Sequence, residues 1–197
     1  MSSSSGPART GASLSRAIIP DQGAGRFVEA PDAAPTVAGP VAAEATGPRR
    51  VLLVGSSGGH LAQLVALEPW YAERERTWVT FNTLDARSQL SDERVFWAAF
   101  PTTRNLPNLL RNTLLAIRLV PRERPDVVVS TGAAVALPFF LVAKLLGIRT
   151  VFIEVYDRLD TRTMTARLCR PFTDLFCVQW EEQKALYPDA TVIGHLL

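Results

Sequence analysis

The stretch PDVVVSTGAAVALPFFLVAKLLGIRTVFIE, residues 125–154, decides the fold. It begins with a run of valines, passes through a glycine turn into an apolar helical segment, and ends in a second run of large apolar residues. Strands that are apolar along their whole length are typical of a parallel sheet covered by helices on both faces. The stretch therefore predicts a strand over 125–132, a helix over 134–146 and a strand over 150–154.

The same alternation of strand and helix extends in both directions from this unit. Further strands are predicted at 50–55, 77–81, 94–100 and 174–179. Helices are predicted at 60–71, 106–120 and 163–171, and the chain ends in a short helix, a turn and a last strand. Right-handed crossovers between such strands give a Rossmann-like, doubly wound α/β domain, in which ligands collect at the carboxyl ends of the strands.

Composition limits the organisation of the chain and its partners. Residues 1–48 are rich in Ser, Ala, Gly and Pro and predict a disordered tail, which leaves residues 49–197 as the folded domain. A net charge of +2 gives no support for a nucleic-acid partner. Cys169 and Cys177 have no second pair, so they predict neither a disulfide framework nor a zinc site, and a reducing cytoplasmic setting fits best. The longest apolar run, 133–147, is too short to span a bilayer.

Three strand ends carry the residues that could bind a ligand: GSSGGH at 55–60, STGAA at 130–134 and EVYDR at 154–158. Glycines allow close backbone approach, and free N–H groups at a helix start favour an anion, so a phosphate or diphosphate is the natural ligand. The predicted phosphate- or acceptor-binding residues are Gly55, Ser56, Ser57, Gly58, Gly59, Ser130, Thr131, Gly132 and Arg158.

Each of these features also has a plainer interpretation. The glycine spacing G-x-x-G-G matches neither the dinucleotide fingerprint nor the P-loop, so the first loop could be only a turn. His60 could be a helix-start residue bonded to a backbone carbonyl, and Glu154 could form a salt bridge with Arg158. Asp157 and Asp160 do not form a D-x-D motif, so no metal is predicted.

The predicted helix 106–120 has the pattern of a membrane-surface helix. Arg104, Arg111 and Arg118 are seven residues apart, hence on one face, beside a leucine-rich stripe made of Leu106, Leu109, Leu110, Leu114 and Ile117. A basic amphipathic helix of this kind suits an anionic membrane. The alternative is a core-facing helix whose arginines are simply solvated.

Several segments together resemble a known family. VGSSGGHLAQL (54–64), the stretch 124–154, DLFCVQW (174–180) and YPDATVIGHLL (187–197) resemble the PssD-type bacterial exopolysaccharide glycosyltransferase subunits. These are related to the membrane-anchoring subunit (Alg-fourteen) of the eukaryotic UDP-N-acetylglucosamine transferase. The glycine loop with its histidine is more remotely similar to that of MurG. The resemblance covers roughly residues 50–197.

The resemblance implies that the chain is the amino-terminal half of a GT-B glycosyltransferase divided between two chains. It would lie at the cytoplasmic face of the membrane and bind a polyprenyl-diphosphate-linked acceptor, while a PssE-like partner would hold most of the UDP-sugar donor. No cofactor is implied. The pair would transfer a hexose or N-acetylglucosamine in exopolysaccharide or capsule biosynthesis, and the chain alone would be inactive. His60 would be the general base, with Glu154 as a rival for that role.

Two other function classes remain open on the sequence. One is a non-catalytic membrane anchor or activator of a partner glycosyltransferase. The other is a nucleotide-binding α/β protein unrelated to sugars, which the absence of both nucleotide fingerprints disfavours.

Because the tail is polar, membrane contact is assigned to the helix 106–120 and to the segment LPFFLVAKLLG at 137–147, including Phe139 and Phe140.

Overall fold

The sheet of this protein is built from seven parallel strands. A computed structural model describes residues 47–197, so the predicted tail lies almost wholly outside the described residues. The strands are β1 (Arg50–Val54), β2 (Glu75–Phe81), β3 (Val95–Ala98), β4 (Val127–Ser130), β5 (Arg149–Ile153), β6 (Leu175–Val178) and β7 (Thr191–Val192). All six neighbouring pairs run parallel, as the uninterrupted apolar runs predicted.

Between residues 47 and 197, six α-helices connect the strands. They are α1 (Gly59–Val65), α2 (Glu68–Tyr71), α3 (Leu84–Gln89), α4 (Leu106–Glu123), α5 (Ala136–Leu145) and α6 (Met164–Cys169). Two 3₁₀ helices, Arg170–Phe172 and Glu181–Ala185, flank β6. The structure confirms the Rossmann-like, doubly wound α/β fold.

The strand order places the predicted loops side by side. It is β3-β2-β1-β4-β5-β6-β7, so β1 lies between β2 and β4 and the order reverses at the β1–β4 pair. In open α/β sheets a ligand binds in the crevice outside the carboxyl ends of the strands at this switch point. The ends of β1, β4 and β5 are neighbours there, and this confirms the prediction that they open on one edge.

Two apolar cores cover the two faces of the sheet. On one face, β1 and β4 contribute Leu52 and Val128 to a core that also holds Ala116 of α4 and Phe139 of α5. On the other face, alternate residues of the same strands pack with residues of the first three helices, namely Leu61 and Leu64 of α1, Trp70 of α2 and Ala86 of α3. The helices on each face hold the strand ends rigid, which fixes the loops that follow them.

The structure departs from the predicted elements in two places. The single helix predicted over 60–71 is wrong: the chain forms two helices, because Pro69 begins a new helix within the first turn of α2. Helix α3 was not predicted, since LDARSQ has no apolar period and Ala86 is its one buried residue.

Helix α4 packs on the sheet with apolar residues such as Ala116 and is also held by two buried asparagines. Asn112 forms two bonds with the backbone of Ala99, accepting from its N–H at 2.8 Å and donating to its carbonyl at 3.0 Å. Asn108 donates to the carbonyl of Pro101 at 2.9 Å, and both asparagines are buried. With asparagines on its buried face, α4 turns Leu106, Leu110, Leu114 and Ile117 outward, where they are 44–76% exposed.

Candidate functional site

A cleft of about 290 Å³ opens at the carboxyl ends of β1, β4 and β5. Residues from all three predicted strand-end loops line it, together with residues from the start of α6. The lining residues are Gly59, His60, Gln63, Thr131, Gly132, Ala133, Glu154, Val155, Tyr156, Asp157, Arg158, Thr163 and Thr165. The cleft therefore lies at the switch point and unites His60, Glu154 and Arg158, as the sequence predicted.

His60 is locked onto the second loop by reciprocal hydrogen bonds. Its Nδ1 lies 2.8 Å from the carbonyl oxygen of Thr131, and the Thr131 hydroxyl donates to the His60 carbonyl at 2.8 Å. A carbonyl only accepts, so Nδ1 carries the proton and Nε2 has a free lone pair. Burial lowers the pKa of His60, although the Thr131 carbonyl and the Glu154 and Asp157 carboxylates oppose this shift.

The plainer interpretation of His60 is thus correct as far as Nδ1 is concerned. A histidine whose Nδ1–H is held by a carbonyl is also the form that a general base needs, because Nε2 is then unprotonated and the ring cannot rotate freely. With its pKa below the ordinary value, the neutral ring predominates at pH 7. The geometry is compatible with both roles at once.

Glycine is required at two points around this histidine. Gly132 has φ +115°, and a Cβ on it would lie 3.1 Å from the Cε1 of His60. A Cβ on Gly55 would lie 2.9 Å from the Cδ1 of Leu64 in α1. Gly132 therefore gives the imidazole its space, while Gly55 lets α1 pack against the end of β1.

The first glycine loop differs from an open anion cradle. Its described cleft-lining members are Gly59 and His60, whereas Gly55 is buried and Gly55, Ser56, Ser57 and Gly58 do not line the cleft. The N–H of Gly58 donates at 3.1 Å to the carboxylate of Asp85, at the start of α3. A protein carboxylate thus occupies one of the backbone donors that were predicted to hold phosphate.

The hydroxyls of the second loop are used internally. Ser130 is fully buried, and its Oγ accepts from the N–H of Gly132 at 3.0 Å. The Thr131 hydroxyl is bound to the His60 carbonyl, and the Thr131 side chain is also buried. Both residues shape the turn that carries Gly132, so the expectation that their hydroxyls are open to a ligand is wrong.

Glu154 is 1% exposed, and its carboxylate is bound on every side by neighbours. The N–H of Val155 donates to it at 3.1 Å, and the Thr163 hydroxyl at 3.1 and 3.2 Å. The Tyr187 hydroxyl completes the set with a short bond, and burial and this bond raise the pKa of Tyr187. The alternative interpretation of Glu154, a salt bridge with Arg158, is wrong, since the two side chains are not within salt-bridge distance. Three donors already satisfy the carboxylate.

Arg158 lies on the outer wall of the cleft with Tyr156 and Asp157, all three exposed. Among the described residues it is the one Arg or Lys that lines the cleft, and its guanidinium has no carboxylate partner within salt-bridge distance. An unpaired cation in the same cleft as His60 is suited to bind an anionic ligand.

Four further residues of the site were not predicted from the sequence. Tyr187 and Thr163 hold Glu154, while Gln179 and Gln183 are fully buried and bond to the loop 154–158. A glutamine directly after an apolar strand, as in LFCVQW, is the local signal that could have identified Gln179, since an amide there must find a buried partner.

The predicted membrane surface is partly corrected by the structure. Phe139 and Phe140 belong to α5 and are fully buried, because these positions of the apolar helix face the core. They therefore do not contribute to the protein surface. Leu141, Leu145 and Leu146 are the exposed apolar residues of that segment. Arg104, Arg111 and Arg118 are exposed, but Arg104 precedes α4 and has φ +51°. From residue 47 onward, no helix is long and apolar enough to cross a membrane.

The described part of the chain contains neither a cluster of metal ligands nor a reactive cysteine. No three His, Cys, Asp or Glu side chains between residues 47 and 197 are placed to hold a metal ion. Cys169 and Cys177 are free and buried, and burial raises the pKa of each thiol to about 12. Both cysteines are therefore unreactive core residues.

Comparison with known proteins identifies two groups of relatives by sequence. Residues 99–196, about half of the chain, match the family model described as "Oligosaccharide biosynthesis protein Alg14 like". The mouse UDP-N-acetylglucosamine transferase subunit ALG14 is 25% identical, and the match covers 82% of this chain and 89% of the mouse protein.

The second group of relatives is MurG-like. The Roseiflexus UDP-N-acetylglucosamine–N-acetylmuramyl-(pentapeptide) pyrophosphoryl-undecaprenol N-acetylglucosamine transferase is 35% identical, over 52% of this chain and 20% of the relative. The crystal structure of Acinetobacter baumannii MurG superposes with a TM-score of 0.57 at 20% identity, over 68% of this chain and 43% of MurG. The chain thus spans less than half of MurG, with which it shares the fold.

Proposed function

We propose that the chain is the acceptor-binding subunit of a two-chain, UDP-sugar-dependent glycosyltransferase, equivalent to the amino-terminal half of a GT-B enzyme. It would bind a polyprenyl-diphosphate-linked acceptor and recruit a PssE-like partner that binds most of the donor. The relatives named above are transferases of N-acetylglucosamine, which favours that sugar as the one transferred. Exopolysaccharide or capsule biosynthesis is the proposed setting.

One observation carries this proposal: His60 Nδ1 is committed to the Thr131 carbonyl in a cleft at the switch point. Nε2 then accepts the proton of the acceptor hydroxyl as its oxygen attacks the anomeric carbon of the donor. The new C–O bond forms as the bond from the anomeric carbon to UDP breaks, and the electron pair leaves with UDP. Arg158 would hold the acceptor diphosphate.

Residues 104–123 supply the proposed contact with the cytoplasmic face of the membrane. The outward stripe of Leu106, Leu110, Leu114 and Ile117 lies beside Arg111 and Arg118 on the surface of α4. Apolar side chains that enter the interface and arginines that meet anionic headgroups are the two parts of a peripheral membrane helix. This surface would bring the cleft to a lipid-linked acceptor.

A second candidate function is a non-catalytic anchor or activator. It is favoured by the internal bonding of Glu154, Ser130 and Thr131, which leaves few polar groups of the cleft free for chemistry. Under this alternative the partner alone performs the transfer, and His60 serves only to tie α1 to the loop after β4.

The two functions are separated by a transfer assay with a synthetic polyprenyl-diphosphate N-acetylglucosamine and a panel of UDP-sugars. This chain, its partner and the mixture are assayed separately, with His60→Gln as the test variant. Activity confined to the mixture and lost with His60→Gln supports the catalytic subunit. Full activity of the partner alone, or of the mixture with His60→Gln, establishes the anchor or activator instead.

A further inference from the structure

The loop that carries Arg158 is held by side chains from a distant part of the chain. Residues 154–158 form one wall of the cleft. Their carbonyl groups accept from the segment 179–183: Gln179 donates to Glu154 at 2.9 Å and Trp180 to Tyr156 at 3.1 Å. Gln183 donates to both Val155 at 2.8 Å and Arg158 at 3.2 Å. The wall is therefore fixed through its backbone.

Gln183 is the centre of this arrangement. Its side chain is fully buried, and its Oε1 accepts from the N–H groups of Gln179 at 2.8 Å and Trp180 at 3.2 Å. The amide thus makes all four of the hydrogen bonds available to it, two to the 179–180 turn and two to the 155–158 loop. A buried amide bonded in this way fixes both partners, because losing any bond leaves a buried polar group unpaired.

The consequence for the cleft concerns its one free cation. Among the described residues, Arg158 is the one Arg or Lys at the cleft, and its side chain is exposed and has no carboxylate partner. No carboxylate holds the Arg158 guanidinium, so the position of this side chain depends on the position of its backbone. Of the four bonds that hold this wall, the one from Gln183 to the Arg158 carbonyl acts on the Arg158 backbone itself.

We propose that Gln183 is a positioning residue, which holds Arg158 where it receives the diphosphate of the acceptor. This inference rests on the proposed function, since it names which part of the acceptor the wall recognises. It also assigns a role to a buried glutamine that makes no contact with the ligand itself.

The test is a double-mutant cycle read by binding, with the full chain and its partner. One probe is a soluble short-chain prenyl-diphosphate N-acetylglucosamine, and the other is the same sugar on a neutral prenyl ether. Gln183→Met removes all four bonds at similar volume, Arg158→Ala removes the cation, and Gln89→Met, at an exposed glutamine of α3, is the matched control. Trp180→Phe, at a partly exposed residue, removes one bond to the loop and is the milder variant should Gln183→Met fold poorly.

We expect Gln183→Met and Arg158→Ala each to weaken diphosphate-probe binding about tenfold, the size of one charge-assisted hydrogen bond, and to leave the neutral probe unaffected. In the Arg158→Ala background Gln183→Met should have no further effect. Trp180→Phe should give a smaller loss in the same direction. Additive losses, or equal losses for both probes, overturn the inference.

Hydrogen exchange separates failure of the inference from failure of the proposed function. If the wild-type pair binds neither probe, the proposed acceptor is wrong. Faster exchange of residues 155–158 in Gln183→Met, with β1 amides unchanged, would then still support Gln183 as the residue that holds the wall. Unchanged exchange of that loop would refute it.

Discussion

Replacing the exposed apolar residues of α4 should release the protein from membranes without unfolding it. Leu106, Leu110 and Ile117 are 76%, 62% and 52% exposed, so most of each side chain is free to enter a lipid interface. Substituting all three with Ser removes this area and leaves Arg111 and Arg118 in place. Surface substitutions of this kind change the free energy of unfolding by no more than about 0.5 kcal/mol each.

The size of the effect follows from the exposed fractions. Full burial of a Leu or Ile side chain stabilises by about 1.5–3 kcal/mol, and half to three quarters of that area is available here. Three residues therefore contribute about 4 kcal/mol, which corresponds to roughly a thousandfold change in the partition coefficient. The arginines each retain about 1 kcal/mol of attraction to an anionic surface, so the residual binding should be weak and sensitive to salt.

The assay is flotation of the purified chain with vesicles that contain one third anionic lipid, at several salt concentrations. Leu84→Ser is the matched control, because Leu84 is 85% exposed but lies on α3, which covers the opposite face of the sheet. The wild type and Leu84→Ser should float with the vesicles, and the triple variant should float weakly and lose this residual binding as the salt concentration rises. Equal flotation of the triple variant and the wild type would show that α4 is not the membrane surface.

Three further predictions concern the cleft. Because burial lowers the pKa of His60, the transfer rate of the pair should fall only below pH 6.5, the ordinary pKa of the side chain. The stability contributed by the neutral ring should be lost over the same pH range, because the unfolded chain takes up the proton there. The pH–rate and pH–stability profiles of the wild type and of His60→Gln test both expectations. Glu154→Gln should lower the free energy of unfolding by about 1–3 kcal/mol, because the new amide faces the Tyr187 and Thr163 hydroxyls; urea unfolding measures this, and lost transfer at unchanged stability would instead make Glu154 the base. Gly132→Ala should cost about 1–3 kcal/mol and impair transfer, since its φ is +115° and its Cβ would press on His60; native stability with full activity would contradict the His60 assignment.

The sheet could be predicted because its strands are buried on both sides. VVVS and TVFI are apolar without alternation, and that pattern has few explanations other than a central parallel strand. Helix α3 could not be predicted, because LDARSQ contributes one buried residue and its place depends on the β2 end before it. Local sequence predicts an element well only where burial of that element leaves a repeating pattern.

The site was predictable in position and less so in detail. Parallel strands bring their carboxyl ends to one edge, so the three loops had to meet, and His60, Glu154 and Arg158 share a cleft for that reason. Which polar groups remain free depends on partners far away in sequence. Tyr187 lies 33 residues from Glu154, and Gln183 lies 28 residues from Val155. No spacing rule connects such pairs.

Helix α4 shows why an apolar period does not by itself identify a core face. Its leucines and its arginines both repeat at helical spacing. The sequence alone does not decide whether the leucine stripe faces the sheet or the solvent. The face that packs against the sheet holds Ala116, Leu119 and Val120, which are buried in the core. Asn108 and Asn112 are also buried, and their amides bond to the backbone of residues 99–101. Since these contacts orient the helix, its leucine stripe is left facing outward. A contiguous exposed apolar surface of this kind is typical of a contact site, and the adjacent Arg111 and Arg118 are the reason why we propose an anionic membrane as its partner.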